Sequence, residues 1–528
     1  MNLRVVLTAD RTLMSDYLGG LFLGFMTTAP RRGFPLLHPI ILFNFIARPV
    51  PVDGEGRAIL APHGLRRVEA ALIESGVVAE DEVAVVPPNA LPKAIGPETE
   101  VIGISTNDPL GLGPSSSTLA GPYGVIHEEP MTAWKFRELV TSRCIQEARR
   151  RGAKLVVGGP GAWQLGLREM RALGIDVVID GEGEIVAPRV FKELMEGSLK
   201  TPCIVKVSPS EMPDPSKIPR LRGGTIGGLV EVSRGCGRGC QFCLPTMRRL
   251  RHRPIEDVLA DVKVNVRCGK RAICLHAEDI LRYGGTPLEP RPDRVVELFT
   301  KVSRMPEVEE VGISHAALSS IASSPKLVEE ISEILELTER RWMGFQTGIE
   351  TGSPRLMERL MKMKPYPFKP KDWPEVVEQA FAISVDNNWI PCATLIVNLP
   401  GETDNDVMDS VELVERLKPY RSLMVPLLYV PPPEFKGHRA MRLIEDASPY
   451  HLELYRVIME HNLRWLVELA DDYSRYLWPP ARVFIRRLAR AIKIYVSRKM
   501  TKAFKDWSAT IHVARVEQVA RRGVSLSP

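Results

Sequence analysis

A chain of 528 residues with 44% hydrophobic and 25% charged residues exceeds what one core holds and is too apolar to stay disordered, so roughly two to four domains are expected. Its formal net charge of +6 is too small at this length to point to nucleic acid by itself. The 44 prolines and 40 glycines are spread along the chain, which excludes collagen-like and low-complexity classes.

Leu3–Leu7 follow the first residues directly and read as a buried strand, not as a secretory signal. The apolar run Pro39–Ala47 is broken by Asn44 and falls well short of the roughly 20 residues of a membrane span. A soluble, cytoplasmic protein is expected. Val101–Ser105 reads as a second strand, ending in the Gly/Pro/Ser loop Asp108–Thr118. A helix is predicted over Trp134–Arg151, a strand over Leu155–Gly159, a short helix near Leu167–Leu173 and a strand over Val177–Ile179, just before Gly181, Glu182, Gly183 and Glu184. Such alternation predicts an open, doubly wound α/β sheet for residues 1–222, with ligands at the carboxyl ends of its strands. Residues 203–228, with Pro209, Pro213, Pro215 and Pro219, read as a linker within it.

Residues 223–435 repeat the alternation. Strands are predicted over Leu229–Val232, Ala272–Leu275, Val311–Ser314, Met343–Gly348, Thr394–Asn398 and Leu423–Val430, with helices such as Ile255–Val266 and Pro292–Lys301 between them. About six βα units predict a partial (βα)6 barrel. Residues 436–528 read as helical. There Phe484, Ile485, Leu488, Ala489, Ile492, Tyr495 and Val496 recur at helical spacing among Arg482, Arg486, Arg487, Arg490, Lys493, Arg498 and Lys499, an amphipathic basic helix.

Three of the eight cysteines fall in the segment Cys236, Cys240, Cys243, a Cys-x3-Cys-x2-Cys spacing just after a predicted strand. A disulfide scaffold is not expected at this chain length, and a metal or cluster site in a reducing compartment is. Thiolates hold iron–sulfur clusters, and a four-iron cluster takes four ligands. Three close cysteines leave one iron open to a chelating substrate, and the intervening glycines let a short loop wrap the cluster. Structural zinc would want a fourth Cys or His at regular spacing; the nearest, His252, lies in the basic stretch Arg248–Arg253 and is expected to be solvated. Cys144, Cys203, Cys268, Cys274 and Cys392 are expected to be buried apolar residues.

With Phe242 just before the third cysteine, this motif resembles the radical S-adenosylmethionine (SAM) superfamily. Gly348, Ile349, Glu350, Thr351, Gly352 and Ser353 resemble the Gly-Ile-Glu-Ser-Gly-Ser motif of its cobalamin-associated branch. Asn398, Leu399, Pro400, Gly401, Glu402 and Thr403 resemble that branch's Gly-Leu-Pro-Gly-Glu-Thr loop, with Asn398 in place of the first glycine. The resemblance implies a 4Fe–4S cluster on Cys236, Cys240 and Cys243, and SAM contacts from Phe242, Glu350, Ser353, Asn398 and Pro400. Glu278 and Asp279, after the second barrel strand, match the superfamily's pattern loosely. A helix N-terminal charge remains open as the role of Glu350.

Gly158, Gly159 and Pro160 after one strand, and Gly181 and Glu182 after the next, resemble the cobalamin-binding domain fused to this branch. The resemblance implies cobalamin contacts from Gly158, Gly159, Gly181 and Glu182, with Asp108, Gly111 and Ser115 lining either the corrin or the substrate, or forming a rigid surface loop. The branch's Asp-x-His-x-x-Gly signature is absent, which leaves two readings: cobalamin without a histidine ligand from below, or a vestigial domain. The opening segment Asp10–Tyr17 reaches the same crevice but matches no role.

The activity implied is radical generation from SAM with methyl transfer to an unactivated carbon. The alternatives are methyl-free radical joining or cyclisation of carbon chains, for instance in lipids, and a non-enzymatic iron–sulfur protein, against which the SAM-contact motifs argue. Methylthiolating relatives carry a second cluster on three N-terminal cysteines, whereas only Cys144 and Cys203 precede the motif here. An electron donor of ferredoxin or flavodoxin type is implied; a peptide, a lipid or a small molecule stays open as substrate, and no nucleic acid is expected. For the basic helix three readings remain: a packed helix with a solvated face, contact with an anionic lipid surface, or a polypeptide partner. Trp465, Trp478 and Trp507 fit either of the last two.

Overall fold

The computed structural model describes residues 3–17, 21–32, 38–243, 249–431, 441–475, 478–480 and 482–499. Arg248, Trp507 and the predicted boundary at residue 435 lie outside the described residues.

The first sheet is built from β1 (Val5–Ala9), β2 (Val83–Val85), β3 (Val101–Ser105), β4 (Lys154–Gly158), β5 (Val177–Asp180) and β6 (Cys203–Lys206), all parallel, in the order β2-β1-β3-β4-β5-β6. These strands read as Val-rich runs because both faces are covered. Successive residues point to opposite faces, so Val6, Ile102 and Val157 enter one core and Val5, Val101 and Val156 the other. The strand order reverses between β1 and β3, and there the carboxyl edge opens a crevice. Two of these strands were not legible in sequence. Val83–Val85 is only three residues long, and Cys203–Lys206 lies in the segment expected to be a linker. The predicted helix over Trp134–Arg151 is two helices, Met131–Val140 and Arg143–Arg150.

The second unit is a partial barrel of six parallel strands: β7 (Leu229–Glu231), β8 (Ala272–His276), β9 (Glu310–Ile313), β10 (Met343–Glu350), β11 (Trp389–Val397) and β12 (Leu423–Leu428). They pair in two groups of three, joined by a bridge between His315 and Gln346 in which the Gln346 N–H donates to the Ser314 carbonyl at 2.8 Å. Burial alternates strictly along β10: one face meets the surrounding helices and the other lines the lumen. The barrel core takes in Leu452, Leu454, Val457 and Ile458 of a long helix, Pro449–Tyr473, so the first C-terminal helix packs as part of the barrel.

The two units meet through buried arginines. Arg234, just ahead of the cysteine motif, donates to Glu231 (2.7 and 2.9 Å), Glu182 (2.6 Å) and Glu184 (2.7 Å). Arg251 donates to Glu182, at 3.0 Å from one guanidinium nitrogen. Arg67, from the helix His63–Glu74, reaches Asp261 at 2.5 Å, and Arg253 reaches the same carboxylate at 3.3 Å. Asp261 also accepts from the Leu221 N–H at 2.8 Å, so the proline-rich stretch is strapped to the barrel helix Ile255–Arg267 and does not hang free. His252, expected to be solvated, is instead half-buried with Nε2 at 2.8 Å from the Gly285 carbonyl; its neighbours Arg251 and Arg253 are buried, and Arg249 is exposed.

Burial pushes the Glu231 carboxyl up, but the Arg234 guanidinium outweighs it and, with His63 and Arg67, holds it well below its ordinary value of 4.5. A depressed carboxyl stabilises the fold above that ordinary value and loses the contribution as pH falls below it. Replacing Arg234 with Met leaves Glu231 and Glu184 without their cation, Glu182 keeping Arg251, and is expected to cost about 3–5 kcal/mol at pH 7. In urea unfolding, the gap between the wild type and R234M narrows once pH drops below 4.5; a gap of equal size on both sides of that value would contradict the account.

Candidate cluster site and barrel mouth

The cysteines occupy the loop that leaves β7 through the short strand Ser233–Arg234, which pairs with Arg251–His252. Gly235, Gly237 and Gly239 all have positive φ. A Cβ on Gly237 would also stand 2.5 Å from the Pro287 side chain, so this alternation of glycine and cysteine is what lets the chain coil tightly enough to turn three thiols inward. Three anchors hold the loop. The Arg238 guanidinium donates to Asp279 at 2.7 Å and to Ser320 at 2.8 Å. The Gln241 N–H donates to the Leu360 carbonyl at 3.0 Å, and its side-chain amide to the Arg359 carbonyl at 3.0 Å. Both acceptors sit on the helix Pro354–Leu360. Phe242 packs against the barrel core.

Within the loop only Cys240 is shifted toward the thiolate. Cys243 donates to Cys240, whose thiol falls to about 7 with help from the Lys364 ammonium, while Cys243 itself is pushed up. Burial raises Cys236, against a backbone N–H of Arg238 that points at its sulfur. Among the described residues no three His, Cys, Asp or Glu side chains converge on a single ion. A cubane cluster does not require that, because each thiolate takes a different iron. The three inward thiols, a half-buried cation beside them and a backbone donor to sulfur fit a 4Fe–4S cluster on Cys236, Cys240 and Cys243.

Lys364 was not legible in sequence. It is half-buried, and its Nζ donates to Glu350 Oε1 at 2.9 Å. Glu350 has φ 64° at a bulge in β10. The indole of Trp373 fixes that bulge by donating to the Ile349 and Thr351 carbonyls at 3.2 and 3.0 Å. Gly348 leaves room for the carboxylate, since a Cβ there would lie 2.0 Å from Glu350 Oε1. Glu350 is thus a strand-end carboxylate turned toward the cysteines, and the helix-terminus reading falls away. The cap of the next helix is Ser353, whose hydroxyl accepts from the Leu356 N–H and donates to Asp406 at 2.5 Å.

The Asn398–Thr403 loop closes on itself. Asn398 has φ 68°, a conformation that glycine takes freely and asparagine tolerates, which explains how it replaces the family glycine. Its N–H donates to Glu402 at 2.8 Å, and Glu402 lies 3.2 Å from His451 Nε2 on Pro449–Tyr473. Pro400 is half-buried in the same turn. Asp279 is buried and accepts from Arg238, Ser320 and the Ala317 N–H, so it positions the cluster loop. Glu278 stays half-buried, close enough to His315 to influence its titration.

Two histidines that the sequence did not single out stand at the carboxyl ends of β8 and β9. His276 Nδ1 is 2.9 Å from the Ser314 hydroxyl, and the rings of His276 and His315 meet edge to face at 6.0 Å. His315 Nδ1 and the Thr347 hydroxyl are buried without a partner. Burial lowers the His315 pKa, so the ring is neutral at pH 7.

In the first sheet the expected cobalamin positions are engaged elsewhere. A Cβ on Gly159 would meet Ser105 Oγ at 2.7 Å and the Thr106 backbone at 2.8 Å, and one on Gly181 would meet Val207 at 2.6 Å; Gly158 lies beside Ile179. These glycines let neighbouring strand ends approach one another. Glu182 is consumed by Arg234 and Arg251. Asp108 ties its own loop, accepting from the Gly113 N–H and the Gln164 amide, each at 2.8 Å. Ser115 pairs with Thr28 at 2.7 Å. Gly111 lines a cleft of about 600 Å³ shared with Phe136, Arg137 and Arg442. The Thr106 hydroxyl is buried without a partner. Of the five other cysteines only Cys392 is fully buried; Cys144, Cys203, Cys268 and Cys274 are half-buried, contrary to expectation.

Residues 230–414 match the family model described as the radical SAM superfamily. Among curated relatives, a tRNA-2-methylthio-N(6)-dimethylallyladenosine synthase of Thermotoga petrophila is 22% identical over 351 residues, 65% of this chain and 72% of that protein. A ribosomal protein uS12 methylthiotransferase of Leptospira biflexa is 26% identical over 210 residues, 39% of this chain and 43% of that protein. The solved structure of the radical S-adenosylmethionine methyltransferase TsrM from Kitasatospora setae, with tryptophan and a SAM analog bound, aligns with TM-score 0.50 at 14% identity, covering 80% of this chain and 73% of that one. That likeness is one of fold.

Two outcomes follow for this site. After anaerobic reconstitution, Cys240→Ala is expected to bring bound iron to background while Cys203→Ser leaves it unchanged; full iron in C240A would remove the cluster assignment. Lys364→Met is expected to keep the iron and weaken SAM binding at least roughly tenfold, since it leaves the buried Glu350 carboxylate unpaired, a loss of more than about 1.4 kcal/mol. Equilibrium dialysis checks this, and unchanged affinity would contradict it. Residues 230–414 of this chain are a radical SAM domain, with Cys236, Cys240 and Cys243 in its cluster loop.

Proposed function

We propose that this chain is a cobalamin-dependent radical SAM methyltransferase acting on an unactivated carbon. One observation carries the reading: the carboxyl edges of the two sheets meet. Glu182, after β5, pairs with Arg234 at the root of the cluster loop. Thr118, on the short helix Pro114–Leu119 that interrupts the segment after β3 expected to be a loop, accepts from the Leu428 N–H at the end of β12 at 2.8 Å. A group held at the β1/β3 crevice would therefore lie over the barrel mouth, beside the cysteines.

The cluster, SAM and cobalamin supply the electron, the radical and the methyl group when bound. The chain's part is to hold, orient and shield. Cys236, Cys240 and Cys243 hold the cluster, and the Lys364 ammonium offsets their negative charge. Glu350 and Asn398 stand where the family contacts SAM. The loop after β3, with the unpartnered Thr106 hydroxyl, would hold the cobalamin, in place of the glycines and Glu182. Neutral His315 offers an unpartnered Nδ1 beside the His276 ring.

A second reading, methyl-free radical chemistry with a vestigial first domain, is favoured by the engagement of Gly159, Gly181 and Glu182 in packing and ion pairs. Methylthiolation is disfavoured: Cys144 and Cys203, the two cysteines that precede the motif, lie on the helix Arg143–Arg150 and the edge strand β6, and a third is lacking.

Anaerobic reconstitution with iron, sulfide and hydroxocobalamin separates the readings. The proposal expects about four irons and one cobalt per chain, and products heavier by one methyl group. Four irons without cobalt would overturn it in favour of methyl-free chemistry.

A further inference from the structure

Residues 482–499 form a helix whose two sides are both apolar. The inner side, with Ala489 buried and Ile485, Leu488, Ile492 and Val496 half-buried, rests on the body of the protein. Arg482 clamps it to Asp471 at 2.8 Å, and Lys493 Nζ donates to the Arg464 carbonyl at 3.1 Å. The outer side holds large hydrophobic residues in the open: Phe484 is 65% exposed, Tyr495 64%, Ile494 53% and Val483 50%, with Trp478 at 73% just ahead of the helix. Exposed cations, Arg486, Arg487, Arg490, Arg498 and Lys499, stand among them.

Charge narrows what covers this face. Residues 482–499 carry seven cations and no carboxylate. Residues 500–528 carry five cations against two carboxylates, the same sign, so this segment does not offer the face an electrostatic partner. Aliphatic side chains such as Val483 and Ile494 have no role against a phosphodiester backbone but gain from entering an acyl boundary. No helix among the described residues is long and apolar enough to cross a membrane, so the fitting geometry is a helix lying flat, with its arginine and lysine stems along the interface and their charges at the headgroups.

We propose that the helix 482–499 docks this protein on an anionic lipid surface. The inference is independent of the cofactor readings above. It is tested with the full-length holoprotein by co-sedimentation with vesicles of phosphatidylcholine alone and of phosphatidylcholine with phosphatidylglycerol. The expected result is partitioning at least roughly tenfold stronger onto the anionic vesicles, weakened by added salt. Two variants are expected to lose that preference while keeping their iron content and circular dichroism: the double variant Phe484→Ser with Tyr495→Ser, and the triple variant Arg486→Glu, Arg487→Glu and Arg490→Glu. Equal partitioning onto both vesicle types overturns the proposal, as does undiminished binding by the Phe484/Tyr495 variant. Tight binding to a single-stranded RNA probe without vesicle binding overturns it in favour of a nucleic-acid partner.

Discussion

Arg234 is a guanidinium in the interior with three carboxylates around it, and the architecture is organised by the need to satisfy it. A buried charge is tolerated only when paired and hydrogen-bonded. Glu231 comes from the barrel strand that leads into the cluster loop; Glu182 and Glu184 come from the turn after β5. Glu231 already pairs with Arg234 inside the barrel, whereas Glu182 and Glu184 take their cations, Arg234 and Arg251, from the barrel. The pairing therefore fixes how the first sheet sits on the barrel, and it fixes the two residues from which the cysteine loop departs.

From that root outward the cluster loop is positioned by contacts that use no cysteine. Arg238 is held by Asp279 and Ser320, and Gln241 by the end of the helix Pro354–Leu360. The thiols are thus aimed by groups on several different barrel elements. The Lys364–Glu350 pair adds a cation next to Cys240, which stabilises thiolate there. Its carboxylate depends in turn on Gly348 for space and on Trp373 for the bulge that turns it inward.

Strand positions and motifs were legible where the signal is local. Val-rich runs marked most of the parallel strands, the Gly/Cys alternation marked the cluster loop, and the motif containing Asn398 marked a turn whose positive φ only the structure shows. What failed was inference from charge and composition. His252, among arginines, looked solvated, yet its ring meets the Gly285 carbonyl, and its neighbour Arg251 pairs with Glu182, 69 residues away. Glu182 and its flanking glycine looked like a cofactor cradle, but the carboxylate serves an interdomain ion pair and Gly181 a close strand contact. Asp279 and Ser353, read from the resemblance as ligand contacts, also hold the cluster loop and cap a helix, which no local pattern announced.

The sequence by itself determined the alternation of strands and helices, the Cys236, Cys240 and Cys243 cluster loop, and the turns around Glu350 and Asn398. These depend on periodicity and on backbone conformations that few residues can adopt. Only the tertiary structure decided the partners of Arg234, Lys364, Asp279 and His315, and the meeting of the two carboxyl edges. The energy of a buried charge depends on groups brought together from opposite ends of the chain, and no local pattern of residues records which ones those are.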